Sequence, residues 1–137
     1  MCIRDRLKGT FSFAASGGST FKLALYTDIS GLTTSTTAFT TTNEVSASGT
    51  NYTSGGNALT NSGVSVSSNI AFVDFADLTF SSVTLSAVGA LIYKSGGSNE
   101  AVLVLDFGGT KTATNGDFVV QFPTASNSAA IIRLGNA

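Results

Sequence analysis

The sequence predicts an all-β protein, an antiparallel β-sandwich of jelly-roll-like or Greek-key topology with about seven or eight strands. Three observations support this prediction. Apolar and polar residues alternate with a period of two in several segments, no segment has a convincing helical period, and Gly, Ser, Thr and Asn take most polar positions. With 137 residues, 42% of them hydrophobic, and a net charge of −1, the chain is expected to fold as one domain.

The first 76 residues contain one regular strand and two further candidates. Residues 20–27 alternate cleanly between apolar and polar side chains, which predicts a half-buried strand. A candidate with more widely spaced apolar residues follows at 59–67. Another lies at 69–76, where both faces are apolar and a strand covered on both sides is expected.

A long polar connection separates the first strand from the others. Residues 30–58 are rich in Thr, Ser and Gly, and seven of the ten residues 33–42 are Thr. The simpler interpretation is a surface connection with at most one short edge strand. The alternative is a binding or assembly loop, because connections of this length in small domains often carry function.

The longest alternating pattern begins at Val83. One face stays apolar as far as Tyr93, while the other changes from polar to apolar, as expected for a strand that enters a two-sided core from the rim of a sheet. Gly89 in its middle predicts a bulge or a close backbone approach. The β-branched residues and the period of two argue against a helix here.

Three more strands are expected in the last third of the chain. Residues 100–109 are apolar on both sides and predict a central strand, while residues 117–123 alternate. Asn115-Gly116 lies between them and predicts a tight turn. A final short strand is expected within residues 129–137.

Six phenylalanines supply much of the expected core. Burying each ring contributes about 1.5–3 kcal/mol, so the core explains these rings more simply than a sugar-binding platform does. The six are Phe72, Phe75, Phe80, Phe107, Phe118 and Phe122.

The composition predicts neither an enzyme nor a cofactor site. The chain has no histidine, the commonest general base and metal ligand, and its one cysteine, Cys2, can form no intrachain disulfide. The serines lack both a histidine base and a G-x-S-x-G motif. Few, scattered cations and the lack of a long apolar run argue against nucleic-acid and membrane partners.

Three aspartates define the one candidate metal site. Asp74 and Asp77 end one predicted strand and Asp106 ends another, so neighbouring strands would bring the three carboxylates to one rim. Calcium takes about six to eight oxygen ligands, and the spacing matches no calcium loop. Aspartates at strand ends more often bind their own backbone, so we predict no metal site, with calcium as the alternative.

The N-terminus differs from the rest of the chain. Its first six residues, MCIRDR, resemble a translated sequencing-adapter remnant. We therefore expect residues 1–8 to be non-native or disordered, and residues 9–137 to form a single β-sandwich domain. From Gly9 onward the formal charge is 4 − 7 = −3.

Five segments, in this order and spacing, cover most of residues 20–134: FKLALYT (21–27), NEVSASGTNYTSGGNALT (43–60), FVDFADLTFSSVTLSAVGALIY (72–93), AVLVLDFGGTKTATNGDFVVQFP (101–123) and AIIRL (130–134). Together they resemble a family of small β-rich virion structural proteins of tailed bacteriophages, especially marine and environmental phages. Val88 departs from the resemblance, because such proteins more often carry Arg before the Gly-Ala pair.

The resemblance implies a structural part of the virion, as capsid decoration, fibre or tail component, and no enzymatic activity. The implied partners are other virion proteins, in a homo-oligomer or a symmetric array. The alternative function is a carbohydrate- or cell-surface-binding sandwich module, which would stack a host-surface glycan on Tyr26, Tyr52 or Tyr93. The family supplies no catalytic or ligand residues.

Overall fold

The computed structural model describes residues 11–135, which form seven strands. The strands are β1 (Phe21–Tyr26), β2 (Asn57–Leu59), β3 (Asn61–Ser67), β4 (Ile70–Phe75), β5 (Leu78–Lys94), β6 (Ala101–Val120) and β7 (Ile132–Gly135). They build two antiparallel sheets, of order β2-β1-β5-β6 and β3-β4-β7, which confirms the predicted all-β, sandwich-like class. The expected non-native segment 1–8 lies outside the described residues. Within the described part, no helix is long and apolar enough to cross a membrane.

The four-stranded sheet is built around one long hairpin. β5 and β6 pair with each other over most of their lengths. β1 pairs with the second half of β5, from Gly89 to Lys94, and with the short edge strand β2 on its other side. Every β1 side chain except Lys22 is buried, as expected for an apolar strand covered on both faces.

The turn of this hairpin differs from the predicted one. The sequence predicts a turn at Asn115-Gly116, but β6 runs through both residues without interruption. The chain reverses instead at residues 95–100, where the Lys94 N–H donates to the Glu100 carbonyl at 2.9 Å. Asn115 does have the positive φ of a turn residue, 47°, but this conformation accommodates a bulge in the ladder and does not reverse the chain.

Bulges bend the hairpin sharply. The β5–β6 register shifts at four places, and Gly108 and Gly109 take φ angles of 68° and 138° near the middle of β6. Phe107 and Phe118 would lie about 36 Å apart on a straight strand. Their ring centroids are 6.0 Å apart. β6 therefore folds back toward itself, and both halves of the hairpin border the core.

The three-stranded sheet covers the opposite side of the core, with β4 between β3 and β7. The predicted strand 59–67 is in fact β2 and β3, which belong to different sheets, and the chain crosses between the sheets at Thr60. At this crossing the Thr60 carbonyl accepts a hydrogen bond from the Ala76 N–H at 3.0 Å. The segment 59–67, which the sequence predicts to be one strand, therefore passes from one sheet to the other.

One apolar cluster fills the space between the sheets. It combines alternate residues of β1 with Phe75 of β4, Phe80 of β5 and Phe118 of β6. Five of the six phenylalanines expected in the core are buried. Phe107 is only half-buried, because it lies at the open bend of β6.

The Thr-rich connection between β1 and β2 is a covering layer. A second apolar cluster lies on the outer face of the four-stranded sheet, and the connection packs Ile29, Leu32 and Phe39 against it. Phe39 stacks on Tyr93 with ring centroids 4.6 Å apart, and Tyr52 enters the main core. One side of the connection is therefore buried, whereas the simpler interpretation of the sequence expects only a surface connection.

Gly89 lies where β1, β5 and β6 approach closely. A Cβ atom here would come within 2.4 Å of the Leu105 carbonyl oxygen and 2.8 Å of the Ile29 side chain. Gly89 pairs with Tyr26 on one side and with Asp106 on the other, and the ladder register shifts beside it. Both predicted features, a bulge and a close backbone approach, are confirmed.

We expect Gly89→Ala to lower the free energy of unfolding by about 1–3 kcal/mol, because the added methyl group overpacks a site closed by backbone. Urea denaturation measures the change. Gly31→Ala is the matched control, since a Cβ atom there meets nothing within 4 Å, and we expect a change within about 0.5 kcal/mol. Equal stabilities of the two variants would contradict the close approach.

Candidate functional site

The three predicted calcium candidates do not converge. Asp74 and Asp77 are neighbours at the β4–β5 turn, but Asp106 lies on β6 opposite Gly89 and its carboxylate accepts the Gly108 N–H at 2.8 Å. The condition for a meeting at one rim, that the two strands are neighbours, is not met, because β4 and β6 belong to different sheets. In the described part of the chain, no three His, Cys, Asp or Glu side chains form a group that could hold a metal ion.

The two neighbouring aspartates bind backbone, as expected at a strand end. Asp74 Oδ1 accepts the Phe75 N–H at 2.9 Å, and Asp77 Oδ1 accepts the Phe122 N–H at 2.8 Å. Asp74 is only 2% exposed. Burial raises the pKa of Asp74, the hydrogen bond from Phe75 lowers it in part, and the charge of Asp77 raises it further.

A second polar centre is built from residues of the connection itself, around Glu44. The Glu44 carboxylate accepts hydrogen bonds from the Tyr52 and Ser54 hydroxyls, each at 2.9 Å, and from the Gly55 N–H. The Tyr52 hydroxyl in turn accepts the Leu25 N–H of β1 at 3.0 Å. These hydrogen bonds attach the connection to β1. They already occupy the polar groups of Glu44 and Tyr52.

All three tyrosines of the chain are buried, with at most 4% of each exposed. The Tyr26 hydroxyl donates to the Thr40 carbonyl, and the Tyr93 hydroxyl donates to the Gly55 carbonyl at 2.7 Å. Their rings lie under the connection or in the core. Tyr26, Tyr52 and Tyr93 therefore do not provide the sugar-stacking face that the alternative function would use.

The longest strand, β6, has a free edge. At its start the connection covers this edge, because the Ala101 N–H donates to the Thr37 carbonyl at 2.9 Å. Farther along, β6 pairs only with β5 among the described residues. Every second N–H and C=O of an antiparallel edge strand points away from its neighbour. β6 therefore presents a row of backbone donors and acceptors, beside the exposed side chain of Val119.

A groove follows this edge inside the bend of β6. It has a volume of about 420 Å³ and is lined by the rings of Phe107 and Phe118 together with Lys111 and Asp117. Asp117 accepts the Ser82 N–H at 3.1 Å, whereas Lys111 makes no ion pair in the described part of the chain. The groove combines apolar surface, an available cation and a backbone edge.

The three-stranded sheet exposes a small apolar patch. Val66, Ala71 and Leu134 form one row across β3, β4 and β7, and the two outer residues are 71% and 68% exposed. Val64 extends the patch into the next row and is 58% exposed. Single exposed apolar residues are ordinary, but an aligned row forms a continuous surface.

Sequence reasoning does not identify the free edge of β6 or the Glu44 network. The Asn115-Gly116 signal divides β6 into two strands and so conceals an edge strand of 20 residues. Glu44 lies in a polar stretch without periodicity. The one feature of the sequence that distinguishes Glu44 is that no other Asp or Glu lies between Asp28 and Asp74.

Comparison with known proteins yields no relative: no protein-family model, no curated protein and no solved structure matches the chain.

Strongly alkaline pH should unfold the protein. Burial raises the pKa of Tyr26, Tyr52 and Tyr93, and the charge of Glu44 adds to the rise. Because each folded pKa lies above the ordinary value of about 10, the stability contributed by the neutral tyrosines is fully present below about pH 10 and is lost as the pH rises further.

Ultraviolet absorbance of phenolate measures this transition, and the chain has no tryptophan to interfere. We expect the absorbance to rise in one cooperative step that coincides with the loss of the β-sheet circular dichroism signal. Gradual ionisation near pH 10, in a protein that keeps its fold, would contradict the burial of the three rings.

Proposed function

We propose that the protein is a non-enzymatic structural component of a tailed-bacteriophage virion, as capsid decoration, fibre or tail part. The resemblance to small β-rich virion proteins motivates the proposal. The free edge of β6 with its groove is the structural observation that supports it most. The protein would act by binding copies of itself or other virion proteins.

The edge of β6 suits binding to a strand of a neighbouring protein. Unpaired strand edges recruit other strands through backbone hydrogen bonds, and pockets beside the edge add selectivity. Here the groove offers Phe107 and Phe118 for apolar contact and Lys111 for an acidic partner group. The bulges of the ladder and the charge of Lys111 also limit uncontrolled edge-to-edge pairing. Such an edge favours a defined partner over open-ended aggregation.

The surface composition also suits repeated assembly. Only 11% of the residues are charged, and most hydroxyl side chains of residues 33–42 are exposed. Hydroxyl groups can form hydrogen bonds across an interface without the desolvation cost of full charges. In a symmetric array each subunit must present surfaces that match its neighbours, and a mostly uncharged polar surface permits such contacts.

Mass spectrometry of purified phage particles tests the proposal. We expect peptides of this chain in density-purified particles, at a constant ratio to the major coat protein between preparations. Absence of the chain from particles that contain other products of the same phage genome would contradict the virion assignment.

The role of the edge is tested in the same particles with Val119→Lys. Val119 is 54% exposed, so we expect the variant to fold normally but to enter particles severalfold less, because the added ammonium group lies on the binding edge. Thr34→Lys places the same charge on an exposed position of the connection and should be incorporated like the wild type. Equal incorporation of both variants would mean that another surface makes the contact.

A further inference from the structure

The connection between β1 and β2 contains a small polar pocket. The residues that line it come from two segments of the connection: Asp28, Gly31, Leu32, Thr40, Thr42 and Asn43. None of them borders the groove of β6. The pocket has a volume of about 230 Å³, whereas sites that enclose drug-sized ligands have roughly 300–1,000 Å³. It therefore has room for a small ligand, such as one sugar ring.

The two segments that form the pocket are attached to β1 and to the sheet beneath them. The Thr27 N–H and hydroxyl donate to the Asn43 carbonyl, at 2.9 and 3.1 Å. The hydroxyl of the buried Tyr26 donates to the Thr40 carbonyl. Leu32 packs against the apolar cluster on the outer face of the four-stranded sheet. Because the walls are held in place, a ligand has little ordering to impose when it binds.

Asp28 gives the pocket one negative charge. Its carboxylate accepts the Ser30 N–H at 2.8 Å and the Ser30 hydroxyl at 3.0 Å. These bonds lower the pKa of Asp28, so the carboxylate is ionised at neutral pH. An ionised carboxylate has about four acceptor positions, and Asn43 Nδ2, at 3.5 Å, takes at most one more of them. At least one position therefore remains for a ligand, and a hydrogen bond to it is charge-assisted.

The other polar groups of the pocket supply both donors and acceptors. The Thr40 hydroxyl oxygen accepts the Thr42 N–H at 3.2 Å, but its O–H group donates to none of the described residues. The Thr42 hydroxyl and the Asn43 side-chain oxygen have no hydrogen-bond partner in the same part of the chain. Leu32 adds an apolar wall. A few polar groups beside an apolar wall are typical of a small-molecule site.

Charge limits the class of ligand. Residues 23–93 contain no Lys or Arg, and Asp28 forms no ion pair with the described residues, so the pocket would repel a phosphate or another anion. Calcium takes about six to eight oxygen ligands, whereas the pocket has one carboxylate, and no metal-binding group of three side chains occurs among the described residues. A neutral ligand with several hydroxyl groups matches the mixture of donors and acceptors.

We propose that this pocket binds one neutral sugar ring. The Asp28 carboxylate accepts hydrogen bonds from the sugar hydroxyls, and the Asn43 amide accepts another. The Thr40 and Thr42 hydroxyls donate to sugar oxygens, while Leu32 contacts the apolar C–H face of the ring. The same groups recognise a ring of a cell-surface glycan and a free sugar. The site does not depend on the virion role or on the partner of the β6 edge.

Nuclear magnetic resonance titration of the full chain tests the site. The probes are the methyl glycosides of glucose, galactose, mannose and N-acetylglucosamine. With at least one of them we expect saturable shifts of the Gly31 and Asn43 backbone amide signals, while the β7 amides stay unchanged. Lack of a saturable shift with all four sugars would overturn the proposal.

Two variants place the sugar in the pocket. Thr42→Val removes one hydroxyl at nearly constant shape and should weaken binding severalfold. Asp28→Asn keeps an acceptor for the Ser30 N–H but removes the charge, and should weaken binding about tenfold or more. Both positions are exposed, so we expect both variants to fold.

Thr34→Val is the matched control, because Thr34 is exposed and does not line the pocket. It should bind the sugar like the wild type. Equal sugar affinity in the wild type and all three variants would overturn the proposed site.

Two further titrations identify the ligand class and its source. Saturable shifts of the same amides with calcium chloride or methylammonium chloride, and with no sugar, would overturn the proposal in favour of a cation site. Tighter binding of an oligosaccharide that ends in the bound sugar would support a surface glycan as the source, and equal affinity would support a free sugar. The presence or absence of the chain in phage particles changes none of these outcomes.

Discussion

The sharp bend of the β5–β6 hairpin is the constraint on which the rest of the structure depends. Straight strands of 17 and 20 residues would extend far beyond the other strands, but the bend lets both halves of the hairpin contribute to one core. The same bend brings Phe107 to Phe118 and forms the groove along the free edge. Fold and candidate binding surface therefore have one cause, the bulges and glycines that interrupt the ladder.

A second constraint is that the four-stranded sheet is apolar on both faces. The three-stranded sheet covers one face, and the connection, which Glu44 and Tyr52 fasten to β1, covers the other. Buried polar groups are stable when they are hydrogen-bonded, and the hydroxyls of all three tyrosines have partners. Asp74 Oδ2 is an exception.

The features that the sequence predicts are local, and those that it misses are not. Period-two alternation predicts the sandwich class and places β1 to within one residue at each end, and the apolar run 69–76 places β4 equally well. Asn115-Gly116 fails as a turn signal because pairing with β5 across the bulge outweighs the local preference. No local pattern shows that Asp106 and Asp74 lie in different sheets, or that the connection buries Tyr26. These features depend on the bend and on the covering layer, which bring distant segments together.

The most direct measurement is the nuclear Overhauser contact between the rings of Phe107 and Phe118. The bent hairpin predicts strong contacts, since the ring centroids are 6.0 Å apart. A straight hairpin would separate the two residues by about 36 Å and give no contact. Lack of this contact in a protein whose β5–β6 pairing is intact would contradict the bend, and the groove and shared core would be contradicted with it.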